Sequence, residues 1–137
     1  MLFGSVNWLA IIVATIASMA LGFVWYMALA NQWMAALGRT REQIMSSAGN
    51  SATPFIISAL MQLVMAYFLA LFPPRLMGSI DVNNAVIVGF HLWLGYVITS
   101  MIINHRYQGA KWSLTLIDGG YLLGVLVVQG VVIGLFK

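Results

Sequence analysis

Four long apolar stretches, holding between them a single Asp, Glu, Lys or Arg, constrain this chain more than any other feature. They run over about residues 5–28, 54–72, 83–105 and 113–135, and Asp118 is the one such residue inside them. A helix needs about 20 apolar residues to cross a bilayer core, and each stretch meets that length. Composition closes off the soluble alternative. Of 137 residues, 62% are hydrophobic and 7% charged, whereas a soluble domain carries roughly 25% charged residues. So short a chain could not hide that much apolar surface from water. The reading is all-α: a polytopic integral membrane protein with one transmembrane domain over 1–137. No charged side chain precedes Arg39, and the run Trp8 to Ala30 is too long for a signal-peptide core. The first span is therefore expected to be retained.

The breaks between spans have chemical causes. Arg39, Arg41 and Glu42 interrupt the first gap. Pro73, Pro74, Arg75 and Asp81 make the second, and the paired prolines predict the end of a helix there. Arg106, Gln108, Gly109 and Lys111 predict a tight turn. The long first gap predicts an interfacial segment over about 31–47. Trp33, Met34 and Leu37 share a helical face that Gly38 would end. Thr40-Arg41-Glu42-Gln43 reads as a capping box, with Thr40 as N-cap and Gln43 at N3. A short helix lying on the membrane, to about Ser47, would follow; an ordered polar loop is the alternative.

Orientation follows from Lys and Arg near the span ends. Arg39, Arg41, Arg106 and Lys111 lie on one side; Arg75 and Lys137 lie on the other. Four against two places the first and third loops in the cytoplasm and both termini outside, with a dual-topology arrangement as the alternative. Trp25, Tyr26, Trp33, Tyr107 and Trp112 then form a cytoplasmic aromatic belt.

Polar groups inside a membrane are expensive and are candidate functional sites. Asp118 sits about five residues into the fourth span, at roughly 8 Å depth by helical rise. At about 100° per residue, Asn84, His91, Gly95, Thr99 and His105 form one stripe of the third helix, opposite Trp93, Ser100 and Asn104. Antiparallel pairing of the last two helices predicts that Asp118 bonds to Thr99, Ser100 or Asn104. A secondary polar site would join His91 to Gln129, with Gln62 near mid-bilayer and one turn from Ser58. On the fourth helix Gly120, Gly124, Gly130 and Gly134 share an arc of about 120° and predict close packing on a neighbouring helix. Two readings of Asp118 stand: an interhelical hydrogen-bonding residue, or a group that handles protons or substrate.

Several chemistries lack their residues. There is no cysteine. No H-E-x-x-H, no histidine–carboxylate set at metal spacing and no G-x-S-x-G occurs. Each Lys lies in a loop or at the terminus, which leaves none for a buried Schiff base. The two histidines share one helix, so haem would need a second chain. The basic residues form no stripe of the kind nucleic acid requires. The first helix lacks the embedded Glu of small four-helix multidrug exporters. No metal, cofactor, nucleic-acid partner or catalytic residue is expected, and the expected partners are the lipid bilayer and other membrane subunits.

The runs Trp25-Tyr26, Trp33-Met34, Leu37-Gly38, Gln62-Leu63-Val64-Met65-Ala66-Tyr67, Trp93-Leu94-Gly95-Tyr96, Asn104-His105 and Leu116-Ile117-Asp118-Gly119-Gly120-Tyr121, with Gly109 and Trp112, span nearly the whole chain. Together they resemble a bacterial membrane family called domain of unknown function 1761. The resemblance implies a four-helix protein of the bacterial inner membrane. It carries no activity, and it directs attention to Asn104, His105 and Asp118 as one cytoplasmic-side cluster. Three functions remain open. The first is an oligomeric transporter or channel-like protein with a polar site around Asp118. The second is a non-catalytic accessory or scaffold subunit of a larger membrane complex. The third is an enzyme acting on lipid or quinone.

Overall fold

The computed structural model describes residues 2–48 and 52–136. Among them the chain is helical, without strands. After a 3-10 turn at Phe3–Ser5, α1 runs over Trp8–Ala28. Its start is fixed by Asn7, whose side chain accepts from the Ala10 N–H at 3.1 Å. Leu29 leaves the helical region at φ −107°, ψ 18°, and breaks α1 from α2, Ala30–Leu37. Gly38 stops α2 in the left-handed region at φ 68°. The capping box then forms as read from the sequence. The Gln43 N–H donates to Thr40 Oγ1 at 3.2 Å, and the Thr40 N–H donates to Gln43 Oε1 at 2.9 Å. It opens α3, Arg41–Ala48. The first gap thus holds two short helices rather than one.

The second span, α4, covers Thr53–Met77. The prolines do not end it. The helix passes through Pro73 and Pro74 and stops at Gly78, φ 84°. A proline ring holds a helical φ, but it removes the donor that would serve the carbonyl four residues back and crowds that carbonyl. Here the Arg75 guanidinium also donates to the Leu71 carbonyl, at 2.9 Å, adding a side-chain donor to that turn. The third span, Val82–Tyr107, is broken into α5 (Val82–Leu92), a π-helical turn at Trp93–Val97, and α6 (Ile98–Tyr107). Gly109, at φ 69°, turns the chain into α7, Trp112–Leu135.

Four helices are long and apolar enough to cross a membrane. In space they form a ring in the order α1, α7, α5, α4, and α4 also meets α7 across the ring. Lipid removes the hydrophobic drive between helices, so close packing of small residues and interhelical hydrogen bonds must replace it. The buried positions follow that rule: Ala10, Ala14 and Ser18 on α1, Ala66 and Ala70 on α4, Ala85 and Gly89 on α5. The glycine arc of α7 serves two neighbours rather than one. A Cβ at Gly120 would meet Trp25 at 3.2 Å, and one at Gly124 would meet Leu21 at 2.9 Å, both on α1. At Gly130 it would meet the Ala85 backbone at 3.2 Å, and at Gly134 it would fall on the backbone of Val82, both on α5. The outlier is α6, which has no buried residue.

Candidate functional site

The middle of the bundle is closed by a buried hydrogen-bonded network from three helices. Ser18 donates to Gln62 Oε1 at 2.6 Å. Gln62 Nε2 donates to Tyr121 OH at 2.8 Å and to Ser58 Oγ at 3.0 Å. Gln129 Nε2 donates to Ser18 Oγ at 3.1 Å and to the Gln62 carbonyl at 2.9 Å. Ser18, Gln62 and Gln129 are all at most 3% exposed. This replaces the expected pair of His91 with Gln129. His91 faces outward, and its Nδ1 lies 2.8 Å from the Ile87 carbonyl of its own helix.

Asp118 turns toward α1, not toward α6. The Tyr26 hydroxyl donates to Asp118 Oδ1 at 2.7 Å. The Tyr26 ring packs edge-on against both Tyr121 and Trp33, with centroids 5.1 and 5.4 Å away. Two indoles hold α7 on either side of this aspartate. Trp25 Nε1 donates to the Ile117 carbonyl at 3.1 Å, and Trp93 Nε1 donates to the Gly119 carbonyl at 2.8 Å. The glycines after it are demanded by space: a Cβ at Gly119 would press on Ile98 Cδ1 at 2.5 Å, and Trp25 covers Gly120. Tyr121 in turn lies over Gly22, where a Cβ would come 2.8 Å from the phenol oxygen.

The residues expected to meet Asp118 are placed elsewhere. Thr99 donates to the Gly95 carbonyl at 2.8 Å, and Ser100 to the Tyr96 carbonyl. Asn104 is exposed. His105 Nδ1 lies 2.7 Å from Thr115 Oγ1, to which Arg106 Nη2 donates at 2.9 Å. The Arg106 guanidinium also sits 3.7 Å above the Trp112 ring centroid. The single cluster of Asn104, His105 and Asp118 is therefore divided: His105 and Arg106 gather on Thr115, and Asp118 pairs with Tyr26. Depth in the hairpin leaves both α6 and α1 level with Asp118, and it is the Tyr26 hydroxyl of α1 that reaches it, while Thr99 and Ser100 bond back to carbonyls one turn earlier. The π-turn, with its Ile98 N–H to Trp93 carbonyl bond, also breaks the uniform angular step of an α-helix ahead of α6.

Beside the Tyr26–Asp118 pair, between α1, α3, α4 and α7, lies a cavity of about 700 Å³. Tyr26, Tyr121 and Ser58 give it a polar side; Met19, Phe23 and Phe55 are among its apolar walls; Arg41 of α3 completes it. A smaller cavity of about 170 Å³ continues beneath α3 and shares Tyr26, Ala30 and Arg41. Volumes of about 300–1,000 Å³, mostly apolar with a few placed polar groups, are typical of small-molecule sites. Sequence reasoning missed this site. Tyr26 read as part of an aromatic belt and Arg41 as a topology signal, and nothing local brings Tyr26 to Asp118 across 92 positions.

The family described as protein of unknown function (DUF1761) matches residues 9–134. The chain belongs to this family. No curated protein and no solved structure matches it. In this chain the Asp118-Gly119-Gly120-Tyr121 run is one structural unit of α7. Asp118 accepts from Tyr26, Gly119 and Gly120 admit Ile98 and Trp25, and Tyr121 ties α7 to α4 through Gln62. This DUF1761 member is a multi-pass membrane protein by its four apolar helices.

Proposed function

We propose that this protein is a small oligomeric transporter that draws an amphipathic substrate from the bilayer into the cavity between α1, α3 and α4. The polar site around Asp118 forms its inner end. The observation that carries the reading is the juxtaposition of Tyr26 and Tyr121. Both line the 700 Å³ cavity, and behind them lie Asp118 and Gln62, to which they are hydrogen-bonded. A substrate displacing the Tyr26 hydroxyl would reach a carboxylate that hydrocarbon makes costly and therefore reactive toward a donor or a proton. The buried network at Ser18, Gln62 and Gln129 ties α1, α4 and α7 together on the bundle axis, so we assign movement across the membrane to a rearrangement or to a second copy. Self-association is supported at α6. Thr99, Ser100 and Asn104 are exposed there, and a groove of about 440 Å³ runs along Tyr96, Ser100, Asn104 and Leu122. We place the protein in the bacterial inner membrane with α3 at the cytoplasmic interface and both termini outside, on the distribution of Arg39, Arg41, Arg106 and Lys111.

The test is reconstitution. Vesicles carrying fluorescent short-chain lipids and an internal pH dye report lipid flipping by quencher access and proton flux by dye response. Wild-type protein should raise one of these rates above that of protein-free vesicles, and Asp118→Asn should return it at least tenfold toward that baseline. Equal rates for both proteins would remove Asp118 from its central role. The same exposed face of α6 favours a second reading, an accessory subunit of a larger complex. Gentle extraction from native membranes would then recover a stoichiometric partner, whereas a stable homo-oligomer counts against it.

A further inference from the structure

Arg41 lines both the 700 Å³ and the 170 Å³ cavity, and it is the single charged residue in either lining among the described residues. Its guanidinium makes no hydrogen bond or ion pair with any described residue. The other arginine of this segment behaves differently: Arg39 donates to Ser47 Oγ at 2.7 Å and to the Gln43 carbonyl at 3.5 Å. One cation is thus occupied in bracing α3 and the other is left facing the cavities. Below Arg41 the walls are apolar. Phe23 of α1 and Phe55 of α4 approach with ring centroids 6.0 Å apart, beside Met27, which is 77% exposed on the outer side of the bundle. The smaller cavity also borders Trp33, whose indole Nε1 is buried with no acceptor among the described residues.

We propose that this paired cavity binds an anionic amphipath of the bilayer, a lipid with a phosphate or carboxylate head. Arg41 holds the head, and an acyl chain passes between Phe23, Phe55 and Met27. A guanidinium forks onto two oxygens of a phosphate or carboxylate and is less strongly hydrated than an ammonium, which suits a site at the edge of hydrocarbon. Phosphate in solution shares the head-group chemistry but cannot use the apolar walls, so a chain-bearing anion is the occupant the lining selects. This deepens the transport reading by naming its substrate class, yet binding can be measured without transport.

The experiment uses full-length protein in neutral detergent, titrated with phosphatidylglycerol, with phosphatidylcholine of the same chains, and with inorganic phosphate. Native mass spectrometry counts bound molecules, and thermal melting confirms folding. Phosphatidylglycerol should bind at least fivefold more tightly than phosphatidylcholine. Arg41→Gln should bring that ratio within twofold, Arg41→Lys should retain part of it, and Arg39→Gln should leave it unchanged. Equal affinity for the two lipids overturns the proposal, as does a preference that survives Arg41→Gln. Inorganic phosphate competing as well as phosphatidylglycerol would also overturn it, since the apolar walls would then contribute nothing. If the preference follows Arg41 but Asp118→Asn leaves flux unchanged, the lipid site stands and the transport reading falls. If flux depends on Asp118 without any head-group preference, the transport reading stands and the anionic substrate falls.

Discussion

Gln62 and Gln129 look alike in the sequence, two amides buried in apolar helices, yet the structure predicts unequal costs for replacing them with leucine. Gln62 makes three side-chain bonds, to Ser18, Tyr121 and Ser58. The bonds to Ser18 and Tyr121 cross to other helices, where each contributes about 0.6–1 kcal/mol, and the one to Ser58 lies within α4 and has a net value of about 1 kcal/mol, so Gln62→Leu should cost about 2–3 kcal/mol. Gln129 makes two, to Ser18 and to the Gln62 carbonyl, but its Oε1 is buried without a donor among the described residues. An unsatisfied buried acceptor costs about 1–3 kcal/mol, and leucine removes that cost along with the bonds. Gln129→Leu should therefore fall within about 1 kcal/mol of wild type. The assay is unfolding by titrated SDS in mixed micelles, followed by circular dichroism. Equal destabilisation by the two variants, or a neutral Gln62→Leu, would refute the network as the fastening between α1, α4 and α7.

Gly134→Ala should destabilise the same unfolding transition by about 1–3 kcal/mol, because the added methyl falls on the Val82 backbone, while Gly95→Ala, with nothing within 4 Å, should be nearly silent. Tyr26→Phe keeps the ring contacts with Trp33 and Tyr121 and removes only the hydroxyl on Asp118. Stability should change by less than about 1 kcal/mol, while lipid or proton flux in reconstituted vesicles falls with that of Asp118→Asn. A reporter enzyme active only outside the cytoplasm, fused after Lys137, should be active; activity from a fusion in the first or third loop instead would invert the assigned orientation.

What could be read from the sequence was local. The spans follow from length and hydropathy, and the capping box of Thr40 and Gln43 and the stop at Gly38 depend on residues within a few positions of one another. Ser58 and Gln62 could be paired because they lie one turn apart. Partnerships between helices could not be read in the same way. The four glycines of α7 do share an arc, but an arc that wide touches both α1 and α5. Asp118 was assigned to α6 because the two are level in an antiparallel hairpin. Depth alone does not choose between that neighbour and α1, where Tyr26 stands at the same level. The π-turn at Trp93–Val97 leaves no mark in the hydrophobic pattern, yet it resets the faces of every residue after it. Pro73 and Pro74 misled for a different reason: they lie in the last turn and a half of α4, which runs on to Met77, so the helix loses two backbone donors there without ending.

The polar residues of this bundle divide by how completely they are satisfied. Gln62 and Ser18 are bonded to one another and to Tyr121, Ser58 and Gln129 at the centre, where three helices must be fastened without help from the hydrophobic effect. Asp118 is different. An ionised carboxylate has about four acceptor sites, and the Tyr26 hydroxyl takes one of them. Trp25 and Trp93 do not reach the carboxylate at all; they bind the carbonyls on either side of it. The fold thus spends two indoles on fixing where Asp118 stands and a single hydroxyl on satisfying it. A residue serving only to join helices would need the reverse: a filled acceptor set and no particular care over the backbone around it. That inequality, beside a cavity whose lining includes the same Tyr26, is the ground on which we propose that Asp118 serves a proton or a substrate donor rather than the packing of the bundle.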